Sequence, residues 1–106
     1  MSYAVYITET FEKEMNKMLV SERDAVKKIF LQLKQNPYVG DAIRYRFFRE
    51  KRMREKRVYY LVYGEFSCVL VVAVSNKKAQ EQTIEEIIKY LPEFKNYVKN
   101  LVEPED

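Results

Sequence analysis

Residues 44–57 hold eight basic side chains (Arg44, Arg46, Arg49, Lys51, Arg52, Arg54, Lys56 and Arg57) against two acidic ones (Glu50 and Glu55), a local net charge of +6. The rest of the chain carries eleven basic and fourteen acidic residues, net −3. A cationic patch on an acidic body is the electrostatic footprint of a surface for a polyanion. A solvated charged hairpin that binds nothing is the plainer alternative, but charge is seldom segregated this sharply without a partner. The residue types suit phosphate. The arginine fork meets two oxygens at once and keeps its proton, while a lysine crowded by other cations loses its proton more readily and can act as acid or base. Histidine is absent and cysteine occurs once. The usual general acid–base and an ordinary zinc site are therefore excluded, and neither metal nor cofactor is expected. Any chemistry falls to Lys, Arg, Tyr or carboxylates.

The elements that must position these residues follow from apolar spacing. With 106 residues, 47% of them apolar and 33% charged, the whole chain (1–106) is expected to form a single domain with a core of its own. Residues 3–7 alternate as a short strand. Thr8 is placed to cap a helix over residues 9–19, with Phe11, Met15, Met18 and Leu19 on one face. Ser21 and Asp24 have capping-box spacing and open a second helix with a stripe of Val26, Ile29, Phe30 and Leu33, which Asn36-Pro37 ends. After Gly40 the period becomes two. Ile43, Tyr45 and Phe47 alternate with Arg44, Arg46 and Phe48, so one face reads as apolar and the other as basic. A charged loop is expected over residues 49–55, then a strand from Arg57, a tight Gly64-Glu65 turn and a nearly all-apolar central strand over residues 66–74. Ser75-Asn76 cap a helix with Ile84, Ile87, Ile88 and Leu91 on its stripe. Pro92 breaks it, and a last helix carries Phe94, Tyr97, Val98 and Leu101. The end of the chain, residues 103–106, is acidic and expected to fray. The predicted class is α+β, in the order β-α-α-β-β-β-α-α, an αα-hairpin packed on a mainly antiparallel twisted sheet. No apolar run is long enough to span a membrane, and residues 1–13 lack the features of a secretory signal, so a cytoplasmic protein with no membrane partner is expected. Cys68, inside an apolar run, reads as a small buried hydrophobe rather than a nucleophile.

On these residues the chain resembles the RelE/ParE toxin superfamily. The likeness is carried by the first strand AVYIT, the αα-hairpin ending at Gln35-Asn36-Pro37, Gly40, the segment RVYYLVY from Arg57 and the segment VLVVAV ending at Val74. Arg57, Tyr60 and Val62 match an arginine-led strand of the form R-x-x-Y-x-V, and Lys77-Lys78 match a basic end to the next strand. The resemblance spans residues 3–85 and leans toward archaeal members. It implies a small RelE-like fold and the toxin of a type II toxin–antitoxin pair, with two partners: a cognate antitoxin that wraps it and mRNA on the ribosome, which RelE-type members cut. ParE-type members poison DNA gyrase instead, and a non-catalytic homologue that only binds RNA or antitoxin is a third possibility. Fold does not choose among them.

Carried over by position, the resemblance implies a basic pair at Arg44 and Arg46, a phosphate-stabilising arginine at Arg57 and a basic residue at Lys77 or Lys78. All three arginines are expected to converge on one phosphate. Arg49, Lys51, Arg52, Arg54 and Lys56 are expected to bind RNA from the loop. The sequence departs from the family in three places. Ile84 stands where ribosome-dependent members often have a tyrosine, lysine follows the last strand where arginine is common, and the second-to-third strand loop is longer and more basic. These departures bear on rate and target rather than on fold. Tyr59, Tyr60 and Tyr63 read mostly as core, although any that faced the basic groove could stack a base. Glu50 and Glu55 read as salt partners within the loop. Lys77 and Lys78 flank a helix start, where cations are mildly unfavourable, which tilts them toward function.

Overall fold

A computed structural model describes residues 2–104. Glu105 and Asp106, in the acidic end expected to fray, lie outside the described residues. The chain opens with strand β1 (Ala4–Ile7) and helices α1 (Glu9–Asn16) and α2 (Val20–Gln35). Thr8 caps α1 as its spacing requires, its Oγ1 accepting from the Phe11 N–H at 3.1 Å. The expected capping pair of Ser21 and Asp24 does not form, because α2 begins earlier. Glu22 Oε1 instead accepts the Leu19 N–H at 3.2 Å, and Glu22 Oε2 meets Lys56 Nζ at 3.1 Å. Leu19, expected on the buried stripe, therefore sits in the non-helical joint and is 69% exposed.

The lysine hydrogen bond, with the Leu19 N–H behind it, holds the Glu22 carboxyl below the usual carboxylate range. A folded-state value below the unfolded one means stability present above the unfolded value and lost as pH falls through the folded value. Glu22→Gln is thus expected to lower the melting temperature at pH 7. The gap from wild type should close in acid below the ordinary carboxylate range, which thermal melts across that pH series would read.

Among the described residues the sheet has five strands where four were expected. They are ordered β1-β5-β4-β3-β2, with β2 (Asp41–Ile43), β3 (Tyr45–Met53), β4 (Lys56–Tyr63) and β5 (Cys68–Asn76). β1 runs parallel to β5, and the other neighbours are antiparallel. The charged loop expected over residues 49–55 is mostly strand. β3 continues to Met53 and pairs with β4 from Phe48↔Leu61 to Met53↔Lys56. The turn shrinks to Arg54 and Glu55, with Arg54 in the left-handed region at φ 58°. Met53 is buried on one face, which anchors this polar stretch in the sheet.

A second irregularity inverts the expected faces of β3. Arg44 has φ 60°, and the β2–β3 register shifts between Ala42 and Ile43. A one-residue slip exchanges the two faces of a strand. Phe48 is fully buried, while Tyr45 and Phe47, expected to face the core, are 44% and 38% exposed. The Gly64-Glu65 turn is also longer than expected: a 3₁₀ turn (Gly64–Phe66) followed by Ser67 at φ 49°.

Gly40 lies beneath β3. Its N–H donates to the Tyr60 hydroxyl at 3.0 Å, and a Cβ here would collide with the Glu50 carbonyl oxygen and that hydroxyl. Gly40→Ala is expected to cost about 1–3 kcal/mol through overpacking. A thermal melt should show a drop of several degrees.

Helices α3 (Gln80–Lys89) and α4 (Leu91–Val102) complete the chain. Pro92 lies in the first turn of α4, a position proline favours, so it starts that helix as well as ending α3. Two apolar layers sandwich the sheet. Phe11, Val26, Ile29 and Leu33 pack on Val58, Tyr60 and Val71 on one side. Ile84, Ile87 and Val98 pack on Phe48, Tyr59, Leu61 and Leu70 on the other. The central strands β4 and β5 are covered on both faces, as their apolar runs require. Cys68 is fully buried, and burial pushes its thiol up, which keeps it an unreactive small hydrophobe. No helix among the described residues is long and apolar enough to cross a membrane.

Candidate functional site

The β3–β4 turn and the β5–α3 connection meet at one end of the sheet around a cavity of about 430 Å³, lined by Arg52, Arg54, Arg57, Lys77 and Lys78 with Glu55 and Asn76. Sheet register assembles it. Arg52 pairs directly with Arg57, and Arg57 with Ser75, so the three form one row across three strands. Like charges placed directly opposite are destabilising in a sheet. Glu50, on the same face of β3, supplies the counter-charge to this pair. Lys77 and Lys78 follow β5 at once. There the Asn76 side-chain oxygen accepts the Ala79 N–H at 2.9 Å and turns the chain into α3.

Arg57 is only 8% exposed. Its Nε lies 3.7 Å from Glu50 Oε2, and that same oxygen accepts from Gln80 Nε2 at 3.3 Å. The other Arg57 N–H groups make no hydrogen bond among the described residues. The side chain is thus tethered at one edge, and its terminal fork has no hydrogen-bond partner among the described residues. One step along the same face of β4, the Tyr59 hydroxyl and Ser75 Oγ lie 2.8 Å apart. Burial pushes the Tyr59 phenol up, against the opposing pull of the Ser75 hydrogen bond, so it stays a neutral floor group.

Five of the ten residues singled out from the sequence line this cavity: Arg52, Arg54, Arg57, Lys77 and Lys78. The expected convergence of Arg44, Arg46 and Arg57 on one phosphate does not occur. Arg57 is level with Arg52, which puts Arg46 six residues along β3, roughly 20 Å away at strand spacing. Arg44 turns instead to Glu81, its Nη2 3.4 Å from Oε2. Arg46 lies over the Tyr38 ring at 4.5 Å from its centroid. Arg49 is a structural clamp and not a loop cation. It donates to the carbonyls of Arg46 at 3.0 Å, Tyr38 at 3.1 Å and Gly40 at 2.6 Å. Lys56 is held by Glu22, and Lys51, half-buried, pairs with Val58 away from the cavity. Arg54 both lines the cavity and donates to Ser21 Oγ at 3.3 Å.

Sequence reasoning missed the role of Glu50. It read as a partner within a loop, but it is the cross-strand tether of Arg57. Only the β3–β4 register reveals this, by placing Glu50 next to Arg52 and Tyr59. Tyr59, Tyr60 and Tyr63 are all core, as their strand spacing suggested. Among the described residues no group of three or more His, Cys, Asp or Glu side chains is placed to hold a metal ion.

Comparison with solved structures bears on this arrangement. A double mutant of the E. coli toxin RelE in the free state superposes with a TM-score of 0.72 over 84% of this chain and 98% of that one, at 22% identity. The fold is that of the RelE toxins. The toxin–antitoxin complex RelBE2 from Mycobacterium tuberculosis matches with a TM-score of 0.64, covering 73% of this chain and 100% of that one at 22% identity. The archaeal RelE–RelB complex from Pyrococcus horikoshii matches at 0.62, over 73% and 97%, with 16% identity. No protein-family model matches the chain, and no curated protein does. The RelE-like fold accounts for the element order and the sheet. The cavity residues must be argued from their own geometry.

Proposed function

We propose that this protein is the toxin of a type II toxin–antitoxin pair and that it cleaves mRNA on the ribosome without a metal. The observation that carries this reading is the cavity where four cations, Arg52, Arg54, Lys77 and Lys78, surround Arg57, itself tethered by Glu50. In such cleavage the RNA 2′-oxygen attacks the adjacent phosphorus and gives up its proton. The 5′-oxygen leaves and takes one, producing a 2′,3′-cyclic phosphate and a free 5′-hydroxyl. Arg57 stabilises the charge that builds on the phosphate, and Arg52 and Arg54 hold the strand. Lys77 or Lys78 carries the protons, since no histidine exists to do so. Preorganised donors aimed at developing charge need no reorganisation during the reaction.

A cytoplasmic site of action follows from the ribosomal substrate. The partner in this reading is a cognate antitoxin with acidic side chains for the cavity rim. The solved RelE structures of E. coli, M. tuberculosis and P. horikoshii include complexes with antitoxins. The deciding experiment is primer extension on mRNA from cells expressing the protein without a partner. Discrete new 5′ ends within translated regions are expected, and they should disappear when a short neighbouring antitoxin frame is co-expressed. Intact mRNA together with trapped gyrase–DNA cleavage complexes would transfer the assignment to a gyrase poison.

A further inference from the structure

Strand β5 is longer than the strand that covers its outer edge. β1 pairs with it only from Ala4↔Cys68 to Ile7↔Val71. The chain then leaves the sheet: the Thr8 N–H donates to the Val71 carbonyl at 3.1 Å, and α1 begins at Glu9. On the inner side β4 continues as far as Asn76. The outer edge of residues 72–76, roughly 13 Å of strand, therefore has no strand neighbour among the described residues. Nor does any backbone group of Val72, Ala73 or Val74 bond to the backbone of α1, α3 or a loop among the described residues. Such an edge presents a row of N–H and C=O groups, and these three residues carry none of the charge or proline that normally blunts one. Two cavities, of about 460 and 300 Å³, lie along it between α1 and α3. They share Glu14, Val74 and Thr83, so they form one groove. The larger holds three carboxylates, Glu14, Glu86 and Glu93, and no Lys or Arg. Glu14 meets Lys17 at 3.9 Å, while Glu86 and Glu93 have no ion-pair partner among the described residues. Lys56 enters the smaller cavity but is held by Glu22.

We propose that this groove takes an extended segment of a partner polypeptide with Lys or Arg at alternate positions, added as a strand beside Val72, Ala73 and Val74. The inference is independent of the RNA reading. A strand is the occupant because only an extended backbone offers N–H and C=O groups in the alternation that a sheet edge presents, whereas a helix has already satisfied its own. Successive side chains of an added strand point to opposite faces of the sheet. One set falls on the side of α3 and α4, where Glu86 and Glu93 stand without cations, and this is the set that carries Lys or Arg. The other set falls on the side of α1, against Phe11, where Glu14 already has Lys17. Nucleic acid is disfavoured here because its phosphates would meet the carboxylates. An acidic segment suited to the Arg57 cavity is disfavoured for the same reason.

The test pans a library of short randomised peptides, displayed on phage, against the full-length protein. Enriched sequences are then made as synthetic peptides and titrated by fluorescence anisotropy and amide NMR. Lys or Arg at alternate positions is expected to be enriched, with the largest amide shifts on residues 72–76. Two versions of the best peptide, N-methylated at alternate residues in one register or the other, test the strand itself. One should lose binding and the other keep it, because only one set of its amides faces β5. Glu86→Gln with Glu93→Gln should weaken binding roughly two- to thirtyfold at low salt and flatten its salt dependence. Melting should change little, since both side chains are exposed. Enriched peptides that are acidic or uncharged, shifts gathered on the Arg57 cavity, or affinity unmoved by the double variant would overturn the proposal. Equal binding by both methylated peptides overturns it as well, since it would reveal a charge contact without an added strand. A library that yields no binding peptide does the same. All of these outcomes leave the RNA reading standing.

Discussion

Arg57→Lys is expected to slow single-turnover cleavage of ribosome-bound mRNA by roughly a hundred- to a thousandfold, the usual effect of removing one preorganised donor. The geometry requires an arginine. Glu50 takes one edge of the guanidinium through Nε, and the fork at its tip remains for phosphate. An ammonium is a point charge that cannot face both ways with fixed geometry. The position is also rigid, since the backbone lies within β4 and pairs with β3 on one side and β5 on the other. Arg57→Ala should cost at least as much activity, but it has a second effect. It leaves Glu50 largely buried with only Gln80 for company, and breaking a buried pair costs up to about 3–5 kcal/mol. The 3.7 Å separation places this pair toward the lower end. The double variant Arg57→Ala/Glu50→Gln separates the two effects, because it removes the stranded charge. Its melting temperature should recover toward wild type while cleavage stays low. Cleavage near the wild-type rate in that stable double variant would remove Arg57 from the reaction.

The αα-hairpin, the central strands and the core tyrosines were legible in the sequence because their signals are local. Val26, Ile29 and Leu33 recur at helical spacing, and residues 58–63 are apolar on both faces of a strand with cover on each side. The course of β3 was not legible. Residues 49–55 are polar, and the turn at Arg54 and Glu55 has none of the Gly, Asn or Pro that usually marks one. Their strand character comes from pairing with β4 and from the single buried Met53, and both are non-local. Misreading that stretch as a loop is also what placed Arg44 and Arg46 beside Arg57. With β3 extended, the arginine level with Arg57 becomes Arg52, while Arg46 lies far along β3 over Tyr38 and Arg44 is paired with Glu81 of α3. Arg49 shows the limit most plainly. By residue type it belongs with the phosphate-binding cations, and only the backbone carbonyls of Tyr38 and Gly40, folded beneath it, make it structural. Lys77 and Lys78 were found because they sit at the end of an unmistakable strand.

The same correction relocates the electrostatic footprint of RNA binding, and the change is measurable. Single-stranded RNA gains about −0.7 in the slope of log affinity against log salt for each phosphate contact, through release of counterions. If Arg52, Arg54, Lys77 and Lys78 each meet a phosphate, replacing all four with Ala should flatten the slope by roughly 2.8 and lower affinity most at low salt. None of the four is in the apolar core, so the fold should survive; Arg54 loses one exposed hydrogen bond to Ser21. Lys51→Ala is expected to leave the slope unchanged, because that residue lies on the strand away from the cavity. Arg49→Ala should act on stability instead, since it leaves the Tyr38 and Gly40 carbonyls without their donor, and a melt would show the loss even with no RNA present. Binding titrations from 50 to 200 mM salt, run beside melting curves, distinguish these roles. A slope that is unchanged in the fourfold cavity variant but flattened by Lys51→Ala would move the phosphate track off the Arg57 cavity and onto the outer part of β3.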